Sequence, residues 1–350
     1  MASIASVLRR TLLIALTTTT IQQGVTAQAT THKLPGQLTG FGERPSYSPD
    51  GKRIAFMGKS FGDAFEVDLE TRDIKLLTEA PNAGFLRVQF LPNGDYFLIG
   101  ARTFKDIVST READEEMWIL KPGQREPIAL NHKIWEGVAI SYQQNRISWT
   151  NTHANYPDEI AENVSIVYVA DIVYDDDGTP SLANKTEIFR TDGPACSPEP
   201  QDFRKNDTEL VYTCYTDTDH PTGGDASGGI VQGIDLETGE VTIYRDVVGE
   251  YNEVEGIFPG GDYTLVESTR ENWKPNNGTR PIDLWRLNLQ EPNSTDFVRL
   301  TYFGDVHGAK AGNPVVSPDG RSIAFAEGRL SDAAGVGRGI LVLSLDDFDY

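Results

Sequence analysis

The chain has 350 residues, of which 39% are hydrophobic and 24% are charged. This composition suits a globular protein and excludes a disordered chain or a multi-span membrane protein. The 31 Lys and Arg against 52 Asp and Glu give a net charge of −21, which would repel phosphate backbones and disfavours nucleic-acid partners. Two cysteines are too few for a disulfide scaffold or a four-thiolate zinc site.

The first predicted element is a secretory signal peptide at residues 1–27. Arg9 and Arg10 form a positive region, residues 11–16 are a short apolar stretch, and Val25-Thr26-Ala27 is a small-residue cleavage pattern. The apolar stretch is too short and too polar for a membrane span. We therefore expect a secreted, extracellular protein whose single domain covers residues 28–350. The alternative is a disordered tail.

An internal repeat is the strongest pattern in the sequence. Ser48-Pro-Asp-Gly-Lys-Arg-Ile-Ala-Phe56 recurs as Ser317-Pro-Asp-Gly-Arg-Ser-Ile-Ala-Phe325. Pro-Asp-Gly is a turn sequence, because Pro fixes φ, Asp bonds its own backbone and Gly accepts a positive φ. Degenerate copies lie at residues 90–98 and 258–266, with weaker turns at 143–145 and 205–207. The six turns predict six pairs of short strands.

Two further strands follow each pair. A third, amphipathic strand is predicted at residues 65–69 or 284–287, for example, and a fourth at 75–78 or 298–301. Four antiparallel strands repeated six times predict an all-β, six-bladed β-propeller. The last repeat has only three strands, whereas Gln37-Leu-Thr39 resembles the ends of the fourth strands. We expect this N-terminal strand to complete the last blade and so remove an exposed edge.

The two cysteines and the glycosylation motifs fit an exported protein. Cys196 and Cys214 are predicted to form one disulfide between neighbouring strands; the alternative is two buried thiols. Five Asn-x-Ser/Thr motifs are candidate glycosylation sites. Their asparagines are Asn163, Asn184, Asn206, Asn277 and Asn293.

The repeats resemble the PD40 family of WD40-like propellers, such as the propeller of the periplasmic protein TolB. The resemblance covers nearly the whole mature chain. Residues 149–158, 251–259 and 311–320 also resemble a secreted branch of that family. This resemblance implies the propeller fold, but fold alone does not identify an activity.

The histidines point to one face of the propeller. His132, His153, His220 and His307 are all predicted in the loops opposite the Pro-Asp-Gly turns, where long loops mark a binding face. Converging imidazoles could hold a metal ion or act as general acid and base. The alternative is that these loop histidines face solvent and never meet.

Acidic, aromatic and basic residues add to this face. Glu253 and Glu255 lie two apart at the start of an innermost strand, so both should point to one side of it. Trp135 is predicted in a loop and could stack on a sugar ring. Tyr156 and Asp158 share the family-like segment with His153, and Lys310 could pair with an anionic ligand. The alternative is a solvated acidic rim.

No nucleophile elbow, phosphate loop or dinucleotide fingerprint occurs in the sequence. Secreted six-bladed propellers of similar build include oligogalacturonate lyases and saponin hydrolases. We therefore expect a monomeric enzyme of lyase or hydrolase type that binds a small molecule, carbohydrate or glycoside at the channel mouth. The predicted catalytic residues are His153, Glu255 and His307. The predicted binding residues are His132, Trp135, Tyr156, Asp158, Glu253 and Lys310, with a divalent metal as candidate cofactor.

Two alternatives remain open at this stage. The same face could bind a protein or a ligand without catalysis, because propellers commonly use it in that way. The protein could also be a tailoring enzyme that acts on a secreted small molecule of secondary metabolism.

Overall fold

The described part of the chain forms six four-stranded antiparallel sheets, as the repeats predict. The computed structural model describes residues 34–79, 83–193, 196–216, 228–270, 281–332, 335–346 and 348. The predicted signal peptide, His220 and Asn277 lie outside the described residues.

In blade order the strands are as follows. Blade 1 has β2 (Glu43–Tyr47), β3 (Arg53–Met57), β4 (Ala64–Asp68) and β5 (Ile74–Leu76); blade 2 has β6 (Phe85–Phe90), β7 (Tyr96–Ala101), β8 (Glu115–Leu120) and β9 (Ile128–Lys133); blade 3 has β10 (Trp135–Ile140), β11 (Arg146–Thr152), β12 (Val164–Tyr174) and β13 (Pro180–Asp192).

The second half of the chain continues the same order. Blade 4 has β14 (Ser197–Arg204), β15 (Glu209–Thr216), β16 (Gly228–Asp235) and β17 (Val241–Arg245); blade 5 has β18 (Asn252–Ile257), β19 (Tyr263–Ser268), β20 (Asp283–Asn288) and β21 (Phe297–Arg299); blade 6 has β22 (Ala309–Val316), β23 (Ser322–Arg329), β24 (Ile340–Ser344) and β1 (Gly36–Gln37). Helical structure within the described ranges is short: α1 (Ile107–Ser109), a π-helical turn (Thr110–Asp114) and a 3-10 turn (Phe303–Asp305). None of these has the length and hydrophobicity of a membrane span.

The Ser-Pro-Asp-Gly repeat forms the same hydrogen-bonded turn in blades 1 and 6. In blade 1 the Ser48 hydroxyl donates to Asp50 Oδ1 at 2.6 Å and accepts from the Arg53 amide at 3.0 Å. Ser317 makes the equivalent bonds to Asp319 and from Ser322 at 2.6 and 3.0 Å. The motif recurs because the serine closes the loop between the first two strands of a blade.

The N-terminal strand closes the ring, which confirms the predicted closure. In β1, Gly36 and Gln37 pair with Val342 and Leu341 of β24, so blade 6 gains its fourth strand. The Thr39 hydroxyl accepts from the Ile340 amide at 3.0 Å and donates to the Phe41 carbonyl at 2.6 Å. The two segments that meet here are 301 residues apart in the chain.

The Leu-Thr pairs at the ends of the fourth strands share one structural role. Thr78 accepts from the Ala64 amide at 3.0 Å, and Thr301 accepts from the Leu284 amide at 2.9 Å. Thr39 makes the same contact in blade 6. All three threonines are buried. Each hydroxyl therefore accepts a hydrogen bond from a buried backbone amide of the third strand. The backbone of the fourth strand does not provide an acceptor for that amide.

The hydrophobic core lies between neighbouring sheets. Met117 and Ile119 of blade 2, for example, pack with Val138 and Trp149 of blade 3. Trp118, Trp149 and Trp285 are all buried, as their strand positions predict. The faces of the sheets are thus used for packing, which leaves the central channel for polar side chains.

The predicted disulfide is present. Cys196 and Cys214 are bonded, with their Cα atoms 5.1 Å apart. Cys196 directly precedes β14, and Cys214 lies in β15 opposite Pro198. The bond therefore ties the first two strands of blade 4 together.

Removing the Thr39 hydroxyl is expected to weaken ring closure. In Thr39→Val the buried Ile340 amide loses its partner, which should lower the free energy of unfolding by about 1–3 kcal/mol. Thr39→Ser keeps the hydroxyl and serves as the matched control. Urea unfolding followed by tryptophan fluorescence measures both. Equal stability of the two variants would contradict this role.

Removing the disulfide is expected to destabilise blade 4. The bond closes a loop of 18 residues, so the Cys196→Ala/Cys214→Ala variant should lose about 3 kcal/mol in free energy of unfolding. Reductant should lower the stability of the wild type toward that of the variant and leave the variant unchanged. A reductant effect of the same size on both proteins would contradict the assignment.

Candidate functional site

The first, innermost strand of each blade contains a β-bulge. The register with the second strand shifts between Glu43 and Ser46, Phe85 and Arg87, Trp135 and Val138, Pro200 and Asp202, Val254 and Gly256, and Gly312 and Val315. A bulge bends the strand and redirects the side chain at that point. The six bulges therefore bring at least one side chain from every blade to the lining of the channel cavities.

Polar residues occupy these bulges. The residues in or beside them include Arg44, Arg87, Glu136, Gln201, Glu255 and Asn313. Three of them, Arg44, Glu136 and Asn313, have positive φ values of 52°, 58° and 50°. Such backbone strain in non-glycine residues tends to occur at functional sites. The channel residues are thus held in conformations that a regular strand would not give them.

The ring divides the channel into two cavities. The entry-side cavity, of about 400 Å³, is lined by Trp135, Tyr251 and Glu253 at the starts of innermost strands. The turn-side cavity, of about 570 Å³, is lined by residues of the strand-one-to-two turns such as Pro49 and Pro318. Arg44, Arg87 and Asn313 line both cavities, and we call these three residues the septum.

A cluster of three carboxylates lies beside the septum. One carboxylate oxygen from each of Glu253, Glu255 and Glu267 lies within 4.8 Å of the other two. The Asn313 backbone amide donates to Glu267, and its side-chain amide donates to Glu255 at 3.5 Å. The Tyr251 hydroxyl donates to Glu253. Blades 5 and 6 therefore supply the cluster and the donors that hold it.

Basic side chains partly balance these charges. Arg87 Nη1 lies 3.9 Å from Glu255 Oε2, and both side chains are largely buried. Arg111 forms an ion pair with Glu136, and Lys310 lines the same entry-side cavity. A ligand in this cavity would thus meet both carboxylates and fixed positive charges.

Burial shifts the pKa of the carboxyl groups in the channel. Desolvation, together with the charge of Glu253, raises the pKa of Glu199 and of Glu267 to about 8. The same two causes raise the pKa of Glu255 well above its usual range, although Arg87 opposes them. Such groups hold protons near neutral pH and can act as acids or bases.

Two neighbouring residues determine the position of the Glu199 carboxyl group: Tyr215, which donates a hydrogen bond to it, and Gly137, which leaves room for it. The Tyr215 hydroxyl donates to Glu199 Oε2 at 2.7 Å. A Cβ at Gly137 would fall 2.2 Å from Glu199 Oε1, so glycine is needed there to leave room for the carboxyl group. This contact explains a glycine in the bulge of β10.

Aromatic rings form one wall of the entry-side cavity. Trp135 meets Tyr215 edge to face at a centroid distance of 6.5 Å, and Tyr215 stacks with Tyr251 at 6.3 Å. All three residues line the cavity. Such rings beside carboxyl groups suit the apolar faces and hydroxyl groups of a sugar.

The spacing of the three carboxylates fits a hard divalent cation. Calcium takes oxygen ligands at about 2.3–2.6 Å, so two ligands of one ion lie at most about 5 Å apart. The separations of up to 4.8 Å among Glu253, Glu255 and Glu267 lie within that limit. An all-oxygen set also favours calcium, magnesium or manganese over zinc or copper.

Four of the predicted site residues, Glu253, Glu255, Trp135 and Lys310, line the channel. Glu253, Trp135 and Lys310 line the entry-side cavity. Glu255 lines the turn-side cavity, but its carboxylate reaches the cluster. The four residues therefore surround one stretch of the channel, on both sides of the septum.

The predicted histidines lie elsewhere. His153 Nδ1 bonds the Ile160 carbonyl oxygen at 2.7 Å within its own loop, and His307 is exposed just before β22. Neither is among the residues that line the entry-side or turn-side cavity. Their catalytic roles therefore remain predictions, without a contact to the carboxylate cluster.

Two loop assignments made from the sequence are wrong. His132 lies in β9 and Trp135 begins β10, so both belong to strands. The reason is that blades 2 and 3 are joined by the single buried residue Ile134, which leaves no room for a loop. Burial and the charge of Lys185 lower the pKa of His132, which favours the neutral imidazole.

Tyr156 and Asp158 line a separate shallow pocket of about 400 Å³, together with Arg102 and Glu116. The Tyr156 hydroxyl accepts from the Lys133 amide at 2.9 Å. Their predicted binding role remains a prediction for this surface pocket. The described asparagines of the glycosylation motifs, Asn163, Asn184, Asn206 and Asn293, are all exposed, and their modification likewise remains a prediction.

Sequence reasoning missed several channel residues. Arg44, Arg87 and Asn313 each stand four positions before the residue that opens a turn, namely Ser48, Leu91 and Ser317. Alignment of the repeats on their turns would have found them. Glu267 gives no such signal, because it lies in a second strand, where it pairs with Glu253 of β18.

Comparisons with known proteins support the fold and leave the activity open. No family model matches the chain. It is 27% identical over 138 residues to an L-lysine 2,3-aminomutase from Fusobacterium nucleatum subsp. nucleatum, and the match covers 39% of this chain. The chain thus spans 31% of that relative's length, which does not establish a family.

Solved structures with the same architecture are distant in sequence. The tricorn protease aligns with a TM-score of 0.55 and 15% identity, over 89% of this chain and 26% of that chain. Regucalcin from Agrobacterium tumefaciens, described as a calcium-binding protein, aligns with a TM-score of 0.52 and 10% identity, over 89% and 93%. TolB from Acinetobacter baumannii aligns with a TM-score of 0.46 and 13% identity, over 83% and 65%. At these identities the likeness concerns the propeller fold alone.

The raised pKa values predict how stability depends on pH. Glu199 and Glu267, with pKa values of about 8, hold protons in the folded protein that the unfolded chain releases above about pH 4.3. The folded state then binds more protons, so the free energy of unfolding falls as pH rises from about 5 to 8, by up to about 1.4 kcal/mol per unit for each group.

Glu199→Gln and Glu267→Gln should therefore each flatten the decline of the thermal midpoint between pH 5 and 8, measured without divalent cations. Glu126→Gln, at an exposed position outside the channel, is the matched control and should follow the wild type. An unchanged pH slope in both channel variants would contradict the assignment.

Proposed function

We propose that the protein is a secreted hydrolase that binds a small carbohydrate or glycoside and a divalent cation in the entry-side cavity. The observation that carries the proposal is the carboxylate cluster of Glu253, Glu255 and Glu267 beside Glu199, in a cavity walled by aromatic rings. A cation site, a proton donor and a sugar-binding wall within one cavity are the parts that such a reaction needs.

Glu253, Glu255 and Glu267 would hold the cation, with their carboxyl groups deprotonated. The cation would supply charge stabilisation to the substrate's oxygens when bound. Arg87 compensates Glu255 from the septum, 3.9 Å away, and so limits the charge that the cluster presents. Trp135 would stack on the sugar ring, and Lys310 would bind an acidic substituent such as a uronate.

Glu199 would carry the proton. At neutral pH its raised pKa keeps it protonated, so it can donate the proton to the leaving oxygen as the glycosidic bond breaks. A water molecule then supplies a hydroxyl group to the anomeric carbon, and its second proton returns to Glu199. The Tyr215 hydroxyl orients the carboxyl group throughout by donating to Oε2.

The location and the cofactor draw support from two further observations. The Cys196–Cys214 disulfide is typical of proteins that leave the reducing cytosol. The regucalcin-like fold neighbour is described as a calcium-binding protein, which is consistent with a cation in a propeller of this size.

A panel of glycosides and oligouronides, assayed with and without calcium or manganese, tests the activity. The expected result is hydrolysis that Glu199→Gln abolishes and Glu126→Gln does not, with a rate that falls as pH rises through about 8. An unsaturated, ultraviolet-absorbing product would indicate elimination and a lyase instead. Binding of the sugars with no product would favour the non-catalytic alternative.

The same assay decides the role of the two histidines. Loss of activity in His153→Ala or His307→Ala, at an unchanged thermal midpoint, would support their predicted catalytic role. Full activity in both would confine the reaction to the carboxyl groups of the channel.

Cation binding is expected to displace protons. Calorimetric titration with calcium at pH 7, in two buffers of different ionisation heat, should show proton release from the cluster. Glu267→Gln should weaken calcium binding at least tenfold, because it removes one of three charged ligands. Glu126→Gln should bind as the wild type does. Equal calcium affinity of Glu267→Gln and the wild type would contradict the cation site.

A further inference from the structure

The turn-side cavity is larger than the entry-side cavity and has a different chemistry. Its volume is about 570 Å³, within the range of small-molecule sites. Its rim is formed by the turns of several blades. The apolar lining residues include Pro49, Pro92, Pro259, Pro318, Ile140 and Val315. This wall suits the apolar body of a small organic molecule.

The inner end of this cavity carries hydrogen-bond donors without partners. Gln201 is 5% exposed, and its Nε2 has no hydrogen-bond partner. The Nε atoms of Arg44 and Arg87 are likewise buried without a hydrogen-bond partner. All three residues line the cavity. A buried donor without a partner is costly, so three such donors in the lining of one cavity point to a site for an acceptor.

The acidic groups of the cavity are already engaged. Asp202 accepts the Ile257 amide at 2.8 Å, and burial raises its pKa to about 8, which leaves it neutral at pH 7. Asp207 accepts from Ser141 at 2.7 Å and from Gln144 at 2.8 Å. Glu255 faces Arg87. The buried polar atoms of this lining that have no hydrogen-bond partner are therefore mainly donors, and two of these donors belong to guanidinium groups. Gln89 Oε1 is an acceptor without a partner in the same lining.

We propose that the turn-side cavity binds a small organic carboxylate with an apolar body. The carboxylate would accept hydrogen bonds from Gln201, Arg44 and Arg87, and the apolar body would lie against the prolines and aliphatic side chains of the turns. Planar guanidinium groups suit the two oxygens of a carboxylate. The site shares Arg87 and Glu255 with the surroundings of the carboxylate cluster, but it opens on the turn side of the septum and needs neither the cation nor the hydrolase reaction.

The test uses 2-naphthoate and its uncharged analogue 2-naphthamide as probes, titrated calorimetrically into the full-length protein at pH 7. The expected result is that naphthoate binds at least tenfold more tightly than naphthamide. Gln201→Glu places a negative charge at the donor position and should weaken naphthoate binding at least tenfold while naphthamide binding changes little. Gln124→Glu, an equal charge change at an exposed turn outside the cavity, should bind as the wild type does.

Several results would overturn the proposal. Equal affinity for naphthoate and naphthamide would show that no acceptor site exists, and so would the absence of binding at millimolar naphthoate. Naphthoate binding that Glu253→Gln alters and Gln201→Glu does not would locate the anion in the entry-side cavity. If Gln201→Glu lowers the thermal midpoint strongly, Gln201→Leu replaces it. That variant removes the donor without adding charge, and unchanged naphthoate binding in it would also overturn the proposal.

Discussion

Mutual repulsion among closely spaced carboxylates is the interaction that the arrangement of the channel has to balance. Glu253, Glu255 and Glu267 approach one another within 4.8 Å, where like charges in a poorly hydrated cavity cannot all remain ionised. The fold offers three ways to neutralise them: a proton, as the raised pKa values indicate, the guanidinium of Arg87, or a bound cation. The chemistry that we propose consists of exchanges among these three.

The backbone takes part in the same balance. Regular strands would alternate their side chains between the two faces of each sheet and leave few of them directed at the axis. The bulges break that alternation, and Arg44, Glu136 and Asn313 accept positive φ values as a result. The cost of this strain is offset by the packing between sheets, where Trp149 and its neighbours are fully buried. The packing that stabilises the fold thus lies between the blades, and the proposed site lies at their inner edges.

The fold was predictable from the sequence because its determinants are local. Ser48 and Ser317 close their turns through neighbours within five residues, and Thr39 repeats a contact that Thr78 and Thr301 also make. The disulfide followed in the same way, from two cysteines on adjacent predicted strands. The site was less predictable, since a bulge of one or two residues changes which side chains face the channel.

Individual residues show where the sequence reasoning failed. Glu253 and Glu255 were found because they lie in an innermost strand, yet they line different cavities since the bulge falls between Val254 and Gly256. Glu199 and Glu267 were missed, because no pattern in the sequence indicates that these two glutamates are buried in the channel lining. The histidines were chosen by their position in predicted loops, and His132 shows that a one-residue connection is easily mistaken for a longer one.

Closure by the N-terminal strand has a consequence for how the protein reaches its folded state. Among the described strands β1 is synthesised first and its partner β24 last; Thr39, just after β1, stands 301 residues before Ile340 of β24. Until they meet, blade 6 has an open edge that can pair with another chain. Contacts this distant in sequence form slowly, because the chain must lose the conformational entropy of closing a very long loop before these contacts stabilise the fold. The last step of folding is therefore the step at which dilution, or a chaperone that covers the β24 edge, would most increase the yield of monomer.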